Sequence, residues 1–395
     1  MFDNYIMRSS LFLQSEVRDP FRYYQTMLKE NPVYWDESCS HWVLYSYHFC
    51  RALLNNPHAG IPSITNSFVG LNECALLMSS KLARLSNGVA HEVARQVVMI
   101  LFDRMKTVRI DRSLDALMKD KKLPGADWVG DVCKKLPALT VMECFHFRKK
   151  EIEFVLQNID HLVKIMSAKK TPEQILAINR IADKLYEICM NKFSGNDSYK
   201  STIELTSRKF QLPQNEVASF WISNLVGLII QSYEAGRGIL CNSLLQCLTH
   251  FDVHSNYSYG ENFLHQVVIE TLRFDPPVHH TKRILFEDVI LNNAVMKKGQ
   301  HVLIVLASAN RDPDKFNKPN EFDISRLNNT EHLTFGAGRH SCPAKQFSVA
   351  VSTKALAWLF GKYKVELCNE DEILYEPTYN TRLPKHLHIS LTKNE

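Results

Sequence analysis

The chain has 395 residues, enough to bury a large core. Its 45% hydrophobic and 23% charged residues are ordinary for a globular protein, and a formal charge of +5 is too mild to argue for nucleic acid. Ten cysteines without a C-x-x-C pair or framework spacing exclude a zinc module and a disulfide scaffold, and they fit reduced thiols in the cytoplasm.

At the N-terminus, Met1-Phe2-Asp3-Asn4 has no basic segment followed by an apolar core, so no signal peptide is expected and the chain reads as complete from its first residue. No later stretch reaches the roughly 18 apolar residues of a membrane span. Asp19-Pro20-Phe21 caps and starts a helix that should carry Tyr23, Met27 and Leu28 inward and stop at Asn31-Pro32. Val33–Trp35 and His41–Ser46 alternate around a polar turn and predict two strands, after which Ser46 can cap a helix through Leu54. Residues 56–85 lack sustained periodicity and read as a loop with apolar Ile61, Ile64, Phe68, Val69 and Leu71.

A helix then carries His91 and Arg95, four positions apart and on one face; a solvated surface pair would have the same spacing. From 96 to 210 the pattern is a series of amphipathic helices with breaks near Leu123-Pro124-Gly125, Lys170-Thr171-Pro172 and Ser194-Gly195-Asn196. A long helix is predicted from about Pro213 to His250, roughly 55 Å at 1.5 Å per residue. Its middle, Gln231-Ser232-Tyr233-Glu234-Ala235-Gly236-Arg237-Gly238, interrupts an apolar face with polar groups and two glycines, a place where the hydrogen-bond ladder can open.

Glu270 and Arg273 lie side by side on a further helix. Lys282–Phe286, Val289–Leu291 and His301–Leu306 look like strands. Phe335-Gly336-Ala337-Gly338-Arg339-His340-Ser341-Cys342-Pro343-Ala344 then puts a cysteine at the end of a loop that two glycines leave free to bend, just before an apolar helix. A thiolate near a helix N-terminus is favoured by the orphan N–H groups and the dipole, and it suits a metal ligand or a nucleophile. A buried free cysteine in a turn is the plainer alternative.

The pattern Phe-Gly-x-Gly-x-His-x-Cys-x-Ala resembles the cysteine-ligand loop of the cytochrome P450 family. Glu270-x-x-Arg273 resembles the family's buried ion-pair helix, His91-x-x-x-Arg95 its propionate pair, and the stretch around Glu234 its central-helix segment. The resemblance covers 19–55 and 213–365 well, and 56–212 only through His91 and Arg95. It implies a mainly α fold with a smaller β-rich part, built as one domain over 1–395, with strands at about 30–57 and 282–306.

It further implies haem b with Cys342 as axial thiolate, held by Phe335 and Gly336 in the loop and by His91, Arg95, Arg283 and His340 at the propionates. Glu270 and Arg273 would be scaffolding. Ala235 stands where the family has an oxygen-activating threonine, so Glu234, Ser232 and a substrate hydroxyl are the expected proton-handling groups. The substrate pocket would draw on Phe68, Val69, Asn224, Leu228, Ser232, Val278, His279, Tyr379, Asn380 and Thr381, a mixed lining that suits a medium-sized substrate with polar handles.

The expected activity is a monooxygenase reaction in secondary metabolism using O2, with electrons from a separate ferredoxin or flavodoxin and its reductase; Lys345 and Arg339 could help dock that acidic partner. A peroxide-using or isomerase-type enzyme, and a non-catalytic haem carrier or sensor, are the alternatives. No membrane anchor and no nucleic-acid partner are expected.

Overall fold

The structure is a computed structural model that describes residues 9–63, 68–105, 109–119, 121, 125–167, 169–251, 259–368 and 373–394. The expectations placed on Met1–Asn4, Ile64 and Leu123-Pro124 lie outside the described residues. In chain order the helices are α1 (Pro20–Glu30), α2 (Tyr47–Leu54), α3 (Glu73–Ser80), α4 (Gly88–Asp103), α5 (Asp111–Met118), α6 (Leu136–Cys144), α7 (Lys149–Leu162), α8 (Pro172–Ser194), α9 (Asp197–Phe210), α10 (Gln214–Gln231), α11 (Arg237–His250), α12 (Glu261–Phe274), α13 (Leu306–Ala309) and α14 (Lys345–Lys362). The strands are β1 (Val33–Asp36), β2 (His41–Leu44), β3 (Ala59–Gly60), β4 (Gly125–Asp127), β5 (His280–Leu285), β6 (Val289–Leu291), β7 (Ala294–Met296), β8 (His301–Val305), β9 (Tyr363–Leu367) and β10 (His388–Lys393).

The chain divides into two compact units. The first comprises Met1–Pro62, Ile110–Cys133 and Ala235–Glu395, and the second Ser63–Arg109 and Lys134–Glu234. All the strands named above belong to the first. Its five-stranded sheet has the order β1-β2-β8-β5-β3, with β2 and β8 parallel and the other neighbours antiparallel. A second sheet, β4-β10-β9, is antiparallel throughout. β6 and β7 form a separate hairpin, turned by Asn292 and Asn293 at φ 47° and 62°. Asparagine tolerates that left-handed region better than most residues, which lets a two-residue turn close.

The local signals for the first unit's start act as read. Asp19 accepts the N–H of Phe21 at 3.0 Å to cap α1, and Ser46 accepts the N–H of Phe49 at 3.3 Å to cap α2. α1 buries Phe21 and Tyr24, however, while Tyr23, Met27 and Leu28 are half-buried around the same cluster with Val43, Tyr45, Leu303 and Val305. The second unit is helical, and α10 is its hub, packed against α3, α4, α6, α8 and α9. α10 is buried nearly all round, from Val217 through Ile230, as a helix at the centre of a core must be. The loop expected at 56–85 contains α3, capped by Asn72, which accepts the N–H of Ala75 at 3.0 Å. Eight residues that are apolar on most sides show too little period to reveal a helix.

The long helix expected from Pro213 to His250 is present as α10 and α11 joined by one π turn, Ser232–Gly236. The opening falls where the two glycines and polar groups interrupt the apolar face.

Candidate active site

The cysteine loop hangs from the end of α12. Glu270 and Arg273 are both fully buried, with Arg273 Nη2 2.6 Å from Glu270 Oε1 and Nε 3.0 Å from Oε2. Arg273 donates its remaining hydrogens to the carbonyls of Asn310 at 3.1 Å, Pro319 at 2.9 Å and Glu321 at 3.0 Å. Glu270 also receives the N–H of Asp323 at 3.1 Å and Arg326 Nε at 3.3 Å. One ion pair therefore fixes the irregular segment 310–326, in which almost no regular ladder satisfies the backbone. Asn310 extends the tie: its Oδ1 accepts the N–H of Leu333 at 2.6 Å, and its Nδ2 donates to Thr334 Oγ1 at 2.8 Å. Thr334 Oγ1 in turn donates to the carbonyl of Leu272, on α12. Arg326 and Thr334 had no periodic or motif signal in the sequence, because the partners that fix them, Glu270, Asn310 and Leu272, lie far away along the chain.

From that anchor the chain enters the cysteine loop. Gly336 and Gly338 both adopt φ +67°, a region that suits glycine. A Cβ on Gly338 would lie 2.5 Å from the carbonyl oxygen of Leu54, so only glycine lets the loop pass this close to α2. The N–H of Cys342 donates to the carbonyl of Phe335 at 2.8 Å, folding the loop back on itself and leaving the cysteine exposed three residues before α14. Gly338–His340 forms a 3-10 turn with His340 half-buried. Arg339 donates to the carbonyls of Pro57 at 2.8 Å and Ala59 at 3.3 Å, so its guanidinium is tied to the neighbouring loop.

Arg283, on β5, is 3% exposed. Its Nη1 donates to Thr281 Oγ1 at 3.1 Å and to the carbonyl of Lys282 at 2.9 Å, but its Nε has no acceptor and no described carboxylate pairs with it. Burial, and secondly the charge of Arg339, push its pKa down to about 10. A desolvated cation with a donor to spare calls for an anion.

In the second unit His91 is buried on α4, with Nδ1 2.9 Å from the carbonyl of Ala83, and Arg95 is half-buried one turn on. The π turn presents Ser232, Glu234 and Ala235, all half-buried. Ser232 donates its hydroxyl hydrogen to the carbonyl of Ile229 at 2.8 Å, while the Glu234 carboxylate makes no hydrogen bond or ion pair with a described residue.

A family model described as Cytochrome P450 matches residues 262–388, the stretch that holds both the ion-pair helix and the cysteine loop. Cytochrome P450 119 of Sulfurisphaera tokodaii is 27% identical over 89% of this chain and 95% of its own. The chain belongs to the cytochrome P450 family. Its reaction class is monooxygenation, and the family implies haem with cysteine thiolate ligation. The Biotin biosynthesis cytochrome P450 of Bacillus subtilis is 21% identical over 95% of this chain and 96% of its own. Among solved structures, CalO2 matches with a TM-score of 0.82 at 21% identity, over 95% of this chain and 96% of that one. P450BioI in complex with hexadec-9Z-enoic acid ligated acyl carrier protein matches with a TM-score of 0.75 at 19% identity, over 95% and 99%. Both structural likenesses speak for the P450 fold.

The residues of this P450 fit a haem: an exposed sulfur on a loop with glycine at its close approach, and an uncompensated buried guanidinium suited to a propionate. Among the described residues no helix is long and apolar enough to cross a membrane.

The residues expected around substrate divide by burial. Val278 pairs with Thr381 in an isolated bridge, and the N–H of His279 donates to the carbonyl of Asn380 at 2.9 Å, so 278–279 and 379–381 do meet. Thr381 is buried against Thr378, their hydroxyls 2.9 Å apart, and Tyr379 is 55% exposed. His279 is fully buried, with Nδ1 3.0 Å from Tyr24 Oη and its ring packed on Phe21 and Tyr24, and burial holds it neutral. Asn224 is buried, and its amide bonds to Ala83, Lys81 and Phe220. Phe68 and Leu228 are half-buried, and Val69 is 74% exposed.

Asp36, Cys39 and His41 also converge at the β1–β2 turn, with donor atoms within 4.8 Å of one another. Burial opposes ionisation of Asp36, but hydrogen bonds from Ser10, Ser38 and Cys39 outweigh it and hold the pKa at about 2. Those bonds account for the cluster as a tied turn.

Proposed function

We propose that this P450 is a haem-thiolate monooxygenase that oxidises a medium-sized organic substrate in a biosynthetic route, with Cys342 as the thiolate ligand of haem b. Support comes from the cysteine loop, folded by the Cys342 to Phe335 bond and set on the Glu270–Arg273 anchor. Phe335 and Gly336 would border the cofactor. Arg283 and His340 would hold propionate charge, as would His91 and Arg95; the unpartnered Nε of Arg283 is the observation that favours this role for it. Haem supplies the redox iron at which dioxygen is activated.

The chain's own part in proton handling is narrower than the family pattern. Ala235 has no hydroxyl, and Ser232 has used its one hydrogen on Ile229, so Ser232 can only accept from a water. Glu234, without a partner among the described residues, is the group able to receive and pass on a proton. A hydroxyl on the substrate would complete the water's hydrogen bonds.

Electrons would come from a ferredoxin or flavodoxin and its reductase, with Lys345 exposed beside the loop for an acidic partner. Arg339 is less available for that role, since Pro57 and Ala59 hold its guanidinium. Relatives named for pulcherriminic acid synthesis and for biotin biosynthesis favour a biosynthetic substrate. Ala235 also favours a second reading, a peroxide-using enzyme that needs no ordered proton relay from a threonine.

Replacing Cys342 by serine should abolish the thiolate absorption band of the reduced carbon monoxide complex while the chain stays folded. A retained band would move the ligand elsewhere. Measuring product formed per NAD(P)H consumed, with native substrate and with an analogue lacking its hydroxyl, separates the two readings. Substrate assistance requires coupling to fall with the analogue, and Ala235→Thr to restore part of it. A general acid or ordered donor is worth on the order of 10²–10⁴-fold. Strong turnover with peroxide alone and equal coupling for both substrates would establish the second reading.

A further inference from the structure

Within the second unit, residues 81–86 fasten α10 to the histidine of α4. Asn224, on α10, accepts the N–H of Ala83 at 3.0 Å and donates to the carbonyl of Lys81 at 2.9 Å. Its other amide hydrogen goes to Phe220, one turn back on its own helix, at 2.8 Å, which sets the side chain's orientation. Ser86 donates to the carbonyl of Leu82 at 2.7 Å. Leu82 lies in a notch of α10: a Cβ on Gly227 would come within 2.4 Å of its Cδ2. Lys81 adds an ion pair to Glu216 at 2.8 Å and lies 4.5 Å over the Phe220 ring.

This clamp places the carbonyl of Ala83 2.9 Å from Nδ1 of His91. A carbonyl oxygen only accepts, so Nδ1 carries a hydrogen and the ring is held in one orientation. A carboxylate also only accepts, so Nε2 would meet it as a second N–H, with both ring nitrogens donating.

We propose that Asn224 is a positioning residue for His91. By holding Ala83 it sets the ring orientation with which His91 engages a haem propionate, without touching the haem itself. The inference rests on the reading of His91 as a propionate partner. Partners one shell out from a cofactor ligand commonly act in this way, and their loss typically weakens retention by roughly 10–100-fold.

The test is a cycle on the holoenzyme with His91→Ala, Asn224→Leu and the double variant, reading the rate of haem loss to apomyoglobin and the midpoint potential. His91→Ala should speed haem loss about tenfold or more. Asn224→Leu should reproduce most of that change and shift the potential the same way, and the double variant should match His91→Ala alone. In the ¹⁵N spectrum of the diamagnetic reduced carbon monoxide complex, Nδ1 of His91 should appear as a hydrogen-bonded N–H in the parent and lose that bond in Asn224→Leu, which a merely structural role would not cause. If Asn224→Leu fails to fold, Asn224→Ala runs the same cycle, since it too removes the acceptor for Ala83. Additive effects in the double variant, or parent-like haem loss and an unchanged Nδ1 hydrogen bond in the Asn224 variant, overturn the proposal. Unchanged haem loss in His91→Ala removes the propionate reading itself, and the proposal with it.

Discussion

The two units are stabilised by different means. The first buries Glu270, Arg273, Arg283, Arg311, Asp312, Asp275, Arg382 and the histidines 41, 279, 280 and 332, most of them tied to backbone in irregular segments. The second buries mainly apolar faces of helices, with Glu151 and His91 as its buried acidic and basic side chains among the described residues. A polar tie demands particular residue types at particular spacings, whereas an apolar face accepts many sequences of similar volume. This is why the family model matches a stretch of the first unit, 262–388, and why chemistry-bearing motifs concentrate there.

The contrast is sharpest for buried charge. Replacing Glu270 or Arg273 by alanine strands its partner without solvent and should cost about 3–5 kcal/mol, a large part of a typical margin of about 5–15 kcal/mol. Insoluble or haem-free protein is the expected result. Glu151→Ala should cost only about 1–2 kcal/mol, because its partners Lys192, at 2.9 Å, and Arg148, at 2.6 Å, retain access to water. Urea titrations of the two variants would compare them directly. Equal costs would mean that burial does not distinguish the two units.

Acid should also find the first unit first. Burial above all depresses the pKa of His280 to about 4 and of His332 to about 3, both from an ordinary 6.5. Below pH 6.5 the unfolded chain binds protons at these rings while the folded chain does not, so stability falls as pH drops from 6.5 toward 4. By pH 4 the loss amounts to about 3 kcal/mol per ring. Asp36 has the opposite kind of group and holds its contribution until pH falls below about 3.8 toward 2. Hydrogen exchange should therefore show amides of β5 and β8 losing protection between pH 6.5 and 4, before those of α10. Protection lost in α10 first would reverse the order.

The same division governs what could be read from the sequence. Asp19, Ser46, the breaks at Lys170-Thr171-Pro172 and Ser194-Gly195-Asn196, and the opened ladder at Ser232–Gly236 were legible, because caps, prolines and glycines act within a few residues. Glu270-x-x-Arg273 and the cysteine loop were legible because their spacing is local. Arg326 and Thr334, which complete the anchor with Asn310, were not, since each meets its partner across a long stretch of chain. β4, β7, β9 and β10 were missed because three to six residues carry too little alternation without knowledge of the partner strand. Asn224 was assigned to substrate on its place along the helix, and only the structure shows its amide committed to 81–83.

Two glycines on the halves of the long helix give a smaller, matched test. On α11, a Cβ at Gly238 would meet Pro277 Cβ at 2.4 Å and Leu383 Cδ2 at 2.5 Å; on α10, at Gly227, it would meet the tip of Leu82 at 2.4 Å. A proline ring cannot move aside, while a leucine end can change rotamer. Gly238→Ala should cost about 2–3 kcal/mol and Gly227→Ala about 1 kcal/mol, partly offset in both by alanine's better helix propensity. Leu82→Val should rescue Gly227→Ala, as seen in denaturation midpoints.

The smallest expected effect runs in the stabilising direction. Gln211 ends α9 in the second unit at φ 54°, and Asn293 closes the β6–β7 turn in the first at φ 62°. A left-handed backbone strains most side chains by about 1–2 kcal/mol, but asparagine suits that region, and glycine's extra freedom in the unfolded chain returns about 0.5–1 kcal/mol of any gain. Gln211→Gly should therefore raise stability by a few tenths of a kcal/mol, roughly, whereas Asn293→Gly should leave it within error. Thermal midpoints of the two variants decide it. A larger gain at Asn293 would mean that the hairpin turn, not the helix end, holds the greater backbone strain.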